Sequence, residues 1–195
     1  MKTYVLATAN PDKAQEIRAI LEGLQVTLLP RPADVPEVIE DGETLEDNAL
    51  LKARALCEAT GMAAIADDTG LFVDALNGAP GVYSARYAGE RATYADNCAK
   101  MLGELAGVPS EQRSARFRTV AAVAYPDGSW FVVDGEVEGK IAESPRGENG
   151  FGYDPIFMPE GARGRSMAEL TPDEKHALSH RGNAFRALAD AFAER

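Results

Sequence analysis

The chain has only two cysteines in 195 residues, Cys57 and Cys98, neither in a close pair nor at a metal-finger spacing. That excludes a disulfide framework and a thiolate zinc site, and both side chains are expected to be buried, reduced thiols. No apolar run approaches the roughly 18 residues that a membrane-spanning helix needs. The N-terminal segment through Asn10 also lacks the apolar stretch and cleavage site of a signal peptide. No membrane association is expected, and the cytoplasm is the expected location. Positive charge is scarce: 20 Lys and Arg stand against 31 Asp and Glu, a formal net charge of -11. Such a chain offers neither long-range steering nor counterion release to a nucleic acid polymer. Any phosphate site must therefore be local, built from a few cations, helix N-termini or a divalent ion.

What is present is an ordinary globular composition, 45% hydrophobic and 26% charged, without internal repeat, linker or low-complexity segment. The length suits one domain, taken as residues 1–195. Lys2 to Thr8 reads as a strand, after which Asn10-Pro11-Asp12 supplies an N-cap, a proline at the first helical position and an acid in the first turn. Ala14, Ile17, Ile20 and Leu21 continue with helical spacing, and Gly23 is the expected stop. Val26 to Leu29 forms a second strand, followed by an extended loop through Pro30, Pro32 and Pro36 to Glu40-Asp41-Gly42-Glu43. Thr44 and Asp47 open a helix carrying Leu45, Ala49, Lys52, Ala53 and Leu56, closed by Gly61. Met62 to Ala66 is a short apolar run that fits a buried strand and delivers Asp67, Asp68, Thr69 and Gly70 at its C-terminal end.

Further on, Thr93 to Leu105 predicts a helix, and Phe117 to Tyr125 with Ser129 to Val137 a hairpin about Pro126-Asp127-Gly128. A glycine-rich loop over residues 145–154 precedes Pro155-Ile156-Phe157. Thr171-Pro172-Asp173-Glu174 is a capping box, and the helix it opens carries Lys175. Ser179-His180-Arg181-Gly182 is expected to interrupt it before a last amphipathic helix with Phe185, Leu188, Ala189 and Phe192 on one face.

Several of these segments carry candidate chemistry, each with a plain structural alternative. Asp67 and Asp68 suit a hard divalent cation, which prefers carboxylate, water and phosphate oxygens; a solvated turn explains them equally well. Thr8, Asn10 and Lys13 could hold a phosphate with free helix amides, or Asn10 could simply cap the helix. Asn48 and Lys52 share a helix face near the Glu40 cluster. His180 and Arg181 offer donors to base oxygens, but also suit a surface helix break. Gly147, Gly150 and Gly152 do not form a dinucleotide fingerprint. Phe151 could stack on a base, although core packing is the default for either Phe151 or Tyr153.

Taken in order, the segments Thr8-Ala9-Asn10-Pro11-Asp12-Lys13, Glu40-Asp41-Gly42, Asn48 to Ala53, Ala66 to Leu71, Gly78 to Arg86, Phe151-Gly152-Tyr153-Asp154-Pro155 and Ser179-His180-Arg181 resemble the inosine triphosphate pyrophosphatase family along nearly the whole chain. The resemblance implies an α/β fold with a long mixed central β-sheet flanked by helices, two lobes around a substrate cleft, and a homodimer. It implies hydrolysis of ITP, dITP or XTP to monophosphate and pyrophosphate with Mg2+ as cofactor. By the same resemblance Thr8, Ala9, Asn10, Pro11, Asp12, Lys13 and Lys52 lie on the phosphate side. Asp68 is the base and a metal-site acid, Glu40 the second such acid, and Asp67 a possible third. Thr69, Phe151, Gly152, Tyr153, Asp154, Lys175, His180 and Arg181 lie around the nucleotide. A pyrophosphatase for another modified nucleotide and a nucleotide-binding regulator without turnover remain as alternatives.

Overall fold

The structure is a computed structural model describing residues 2–22 and 26–194. Its strands are β1 (Lys2–Leu6), β2 (Val26–Leu29), β3 (Ala64–Val73), β4 (Pro80–Gly81), β5 (Ser114–Ala124), β6 (Trp130–Ile141) and β7 (Phe157–Pro159). The helices are α1 (Pro11–Ile20), α2 (Leu45–Thr60), α3 (Tyr94–Glu104), α4 (Pro172–Leu178) and α5 (His180–Ala193). The fold is mixed α/β: the sheet runs β2-β1-β3-β5-β6-β7, with β4 also paired to β3. Strand β1 is parallel to β2 and β3, whereas β4 and β7 are antiparallel to their partners. No helix among the described residues is long and apolar enough to cross a membrane.

The chain divides into two compact units. The first comprises residues 1–68, 119–135 and 183–195. Its core gathers Tyr4 and Leu6 of β1, Ile17 of α1, Ile65 of β3, Val123 of β5 and Phe185 and Leu188 of α5. Each large apolar side chain removed from water there contributes about 1.5 to 3 kcal/mol before conformational entropy is set against it. The second unit comprises residues 69–118 and 136–182, with Leu71, Met101, Phe117, Ile141, Ile156, Phe157 and Met167 at its core. At its margin the buried Arg113 donates to the carbonyls of Leu105, Val108 and Ala142, which satisfies a charge that could not otherwise be taken from water.

Local signals read from the sequence set most element ends. Asn10 caps α1 and Pro11 occupies its first turn. Thr44 accepts from the Asp47 amide at the start of α2, and Gly61 ends that helix in the left-handed conformation, φ 66°. Thr93 with Asp96, and Thr171 with Glu174, form reciprocal capping boxes on α3 and α4. The stop expected at Gly23 lies outside the described residues; Leu21 caps α1 through its own amide. The hairpin turns where expected, with the Tyr125 amide donating to the Ser129 carbonyl at 2.9 Å, though both strands run longer than predicted. Cys57 and Cys98 are both buried free thiols, as expected.

Two expectations are corrected. Strand β3 does not end at Ala66; it continues through Asp67, Asp68, Thr69 and Gly70 to Val73. The reason is pairing: Leu71 and Phe72 are in register with Gly81 and Pro80 of β4. Gly70 is thus no turn residue, and a Cβ on it would lie 2.8 Å from the Gly81 carbonyl oxygen. Likewise the interruption before α5 is a single residue, Ser179, whose Oγ accepts from the Gly182 amide at 3.0 Å. Ser179 closes α4 while capping the next helix, so His180, Arg181 and Gly182 form the first turn of α5.

Candidate active site

In the first unit, β3 presents Asp67 and Asp68, 3% and 6% exposed. Consecutive strand residues point to opposite faces, so the two carboxylates meet different cations. Asp67 Oδ2 lies 3.3 Å from Lys13 Nζ, which α1 supplies from its first turn. Asp68 Oδ1 accepts from Lys52 Nζ of α2 at 2.8 Å, and the same ammonium lies 3.1 Å from Glu40 Oε1. Lys52 therefore joins two acids that are 28 residues apart in the sequence.

Burial raises the Asp68 carboxyl above the ordinary range against the opposing pull of Lys52 and Lys13, with Glu40 acting in the same direction as burial. For Lys52 burial acts downward, but the combined charges of Asp68, Asp67 and Glu40 outweigh it and its value is raised. Both groups are therefore shifted upward, the acid chiefly by burial and the lysine by the three acids around it. The second Asp68 oxygen, Oδ2, is buried and accepts no hydrogen bond among the described residues. An acceptor-only oxygen in that condition, beside a second carboxylate already answering a cation, fits a divalent ion held by one or two protein carboxylates plus ligand oxygens. Among the described residues no group of three or more His, Cys, Asp or Glu side chains is placed to hold a metal ion.

The segment from Thr8 to Lys13 divides between the two readings open in the sequence. Asn10 Oδ1 accepts from the Asp12 and Lys13 amides at 2.9 and 3.3 Å, and the Ala14 amide donates to the Asn10 carbonyl at 3.1 Å. Pro11 has no amide hydrogen, so the cap takes up the first-turn donors. Thr8 Oγ1 in turn accepts from the Asn10 amide at 3.1 Å. Ala9 and Pro11 are exposed. What this turn presents toward β3 is the Lys13 ammonium rather than a row of free amides.

In the second unit, Thr69, Phe151, Asp154, Lys175 and Arg181 come together. Arg181 Nη2 donates to Thr69 Oγ1 at 3.1 Å. The Lys175 ammonium lies 4.8 Å and the Arg181 guanidinium carbon 5.6 Å from the Phe151 ring centre, both cation–π distances. Asp154 Oδ2 accepts from Lys175 Nζ at 2.5 Å and from the Phe151 amide at 2.8 Å, which fixes the loop that carries the ring. Gly152 follows Phe151 in that loop, half-buried, and its carbonyl accepts from Cys98 Sγ at 3.3 Å.

Tyr153 packs in the core, the default expected of it, whereas His180 lies deeper than a surface helix break would place it. Tyr153 lies in the core with its hydroxyl donating to the Ser84 carbonyl at 2.8 Å. His180, 4% exposed, stacks on Phe117 with ring centres 4.6 Å apart. Sequence reasoning did not single out Ser84, whose hydroxyl accepts from the Leu71 amide at 2.9 Å and donates to the Gly81 carbonyl at 2.6 Å. Its signal was the segment Gly78 to Arg86, which had a family counterpart but no evident chemistry.

Fold and site together define an α/β protein with a mixed sheet whose inner strand β3 carries buried carboxylates, answered by lysines from two helices. More particularly, the chain belongs to the Ham1 family, whose model matches residues 4–191. A protein of Geobacter sulfurreducens named dITP/XTP pyrophosphatase is 52% identical over 192 residues, covering 97% of this chain and 96% of the relative. One of the same name from Streptomyces coelicolor is 50% identical over 198 residues, covering 100% of this chain and 98% of the relative. Among solved structures, a HAM1 protein from Coxiella burnetii superposes with a TM-score of 0.90 at 42% identity, over 100% of both chains.

Proposed function

We propose that this protein hydrolyses the non-standard purine nucleoside triphosphates dITP, XTP and ITP to the monophosphate and pyrophosphate, with residues 1–195 acting as one catalytic domain. The observation that carries this reading is the Asp68–Lys52–Glu40 linkage, in a chain about half identical to proteins named dITP/XTP pyrophosphatase. A buried carboxylate beside a cation supports the reading because it can orient a water next to phosphate oxygens. Asp68 takes the proton of the attacking water, a contribution typically of about 10² to 10⁴ in rate. Lys13 and Lys52 spread the charge of the phosphates, with the segment from Thr8 to Asp12 shaping their approach.

Glu40 and Asp68 would hold Mg2+, with Asp67 supporting through Lys13. When bound, the ion supplies charge neutralisation for the triphosphate. Lys52, which meets both of those acids, would share their charge with the ion and the substrate oxygens.

Phe151 provides the stacking surface for the base, held by Asp154 and the two flanking cations. Thr69, Gly152, Tyr153, Lys175, His180 and Arg181 shape the same group. A donor from His180 or Arg181 facing a 6-oxo group would face the amino group of adenine as donor against donor. Such a mismatch costs roughly 1 to 3 kcal/mol, about 5- to 150-fold in discrimination. Guanine shares the 6-oxo group, so its rejection must act on the 2-amino group. The protein is further proposed to work as a homodimer in the cytoplasm.

A panel of ITP, dITP, XTP, GTP, ATP and a modified pyrimidine triphosphate, with and without Mg2+, tests the reading. Monophosphate and pyrophosphate are the expected products, in preference from the inosine and xanthine substrates. Diphosphate and phosphate as products, or equal efficiency on ATP and GTP, would overturn it. Tight binding without turnover would favour a regulator.

A further inference from the structure

Asn48 and Lys52 lie one turn apart on the same face of α2. Lys52 meets the Glu40 carboxylate. Asn48, 2% exposed, addresses the backbone two residues further along the same loop. The Gly42 amide donates to Asn48 Oδ1 at 2.8 Å, and Asn48 Nδ2 donates to the Gly42 carbonyl at 3.5 Å. Both ends of one buried carboxamide are thus spent on one residue of the loop. The approach requires a residue without a side chain: a Cβ on Gly42 would lie 2.6 Å from Asn48 Oδ1 and 2.7 Å from Asp47 Cβ.

The loop from Pro30 to Glu43 contains no helix or strand, so it has no backbone ladder to fix where Glu40 stands. The Glu40 side chain is 34% exposed and the lysine it meets is long and flexible, a pair that does not by itself hold one geometry. A buried carboxamide anchored in a helix does. We propose that Asn48 is a positioning residue: by clamping Gly42 it holds the Glu40 carboxylate in register with Lys52 and Asp68, so that one helix face sets both the cation and the second acid. The kinetic half of this inference rests on the proposed pyrophosphatase activity; the structural half does not.

The test is a double-mutant cycle between Asn48→Ala and Glu40→Gln, read in two ways on the full chain. By hydrogen exchange, the residue 42 amide should exchange at least about tenfold faster in Asn48→Ala, the factor of one lost hydrogen bond. Asn48→Asp, which keeps the acceptor, should restore most of the protection. By turnover with Mg2+, Asn48→Ala should lose at least about tenfold, the scale of a misplaced catalytic group. In the Glu40→Gln background it should lose less than about twofold, because the group it positions is gone. Gly42→Ala breaks the clamp from the loop side, should reproduce both readings, and serves if Asn48→Ala does not fold. Unchanged exchange at residue 42, or turnover losses that multiply in the double mutant, would overturn the inference. A wild-type chain that releases no pyrophosphate would instead overturn the proposed function, and the exchange result alone would then decide the clamp.

Discussion

Asp67 and Asp68 are neighbours in β3, yet one lies 3.3 Å from Lys13 and the other 2.8 Å from Lys52. The pleat of the strand gives the two carboxylates different nearest cations. Asp68→Asn should therefore lower kcat by about 10² to 10⁴, as expected for a base. Asp67→Asn should act mainly through Lys13 and raise KM. Steady-state kinetics beside a melting curve distinguish the two, and near-normal turnover in folded Asp68→Asn would remove it as the base.

Lys52 is the shared partner of Asp68 and Glu40, and its side chain is 14% exposed. Lys52→Met leaves a buried carboxylate without its ammonium, which should cost about 3 kcal/mol in urea unfolding. Magnesium should recover more stability in this variant than in the wild type, because the ion then answers the acids that the lysine had neutralised.

Gly70→Ala places a methyl group 2.8 Å from the Gly81 carbonyl oxygen and 2.9 Å from the Phe72 ring. Backbone cannot move aside cheaply in a paired strand, so the variant should lose about 1 to 3 kcal/mol of stability. A loss within about 0.5 kcal/mol would show that the β3–β4 approach relaxes more readily than its geometry indicates.

Burial, with a smaller contribution from Asp154, pushes the Cys98 thiol up to about 11. Folded Cys98 thus keeps its proton above pH 8.5, where an unfolded thiol begins to lose it. The stability this contributes is complete below about pH 8.5 and is lost as pH rises toward 11. Urea midpoints measured from pH 8 to 11 should fall more steeply for the wild type than for Cys98→Ala. At pH 8 the native chain should react with a thiol reagent far more slowly at Cys98 than the unfolded chain does.

The Phe151 ring has Lys175 and Arg181 within 4.8 and 5.6 Å. If it is the stacking surface, Phe151→Ala should raise KM about 5- to 150-fold, the range for loss of one base–aromatic stack. Phe151→Tyr should stay close to wild type. A change in kcat alone would assign the ring to the fold rather than to the substrate.

The sequence by itself determined what depends on neighbours within a few residues. Asn10, Thr44, Thr93 and Thr171 announced four helix starts because a cap bonds two or three positions ahead, and Gly61 announced a helix end because the left-handed conformation suits glycine. The ordered motifs along the chain carried a family resemblance, and the Ham1 match over residues 4–191 bears it out. Only the tertiary structure decided whether Asp67 to Gly70 was a turn or a strand, since that depends on the distant pairing with Gly81 and Pro80. It alone joined Glu40 to Asp68 through Lys52, and showed Asn48 closing on Gly42. Spacing along a chain fixes which residues share a helix face or alternate along a strand. It does not fix which loop that face will meet, because burial and pairing between distant segments are settled only when the whole chain packs.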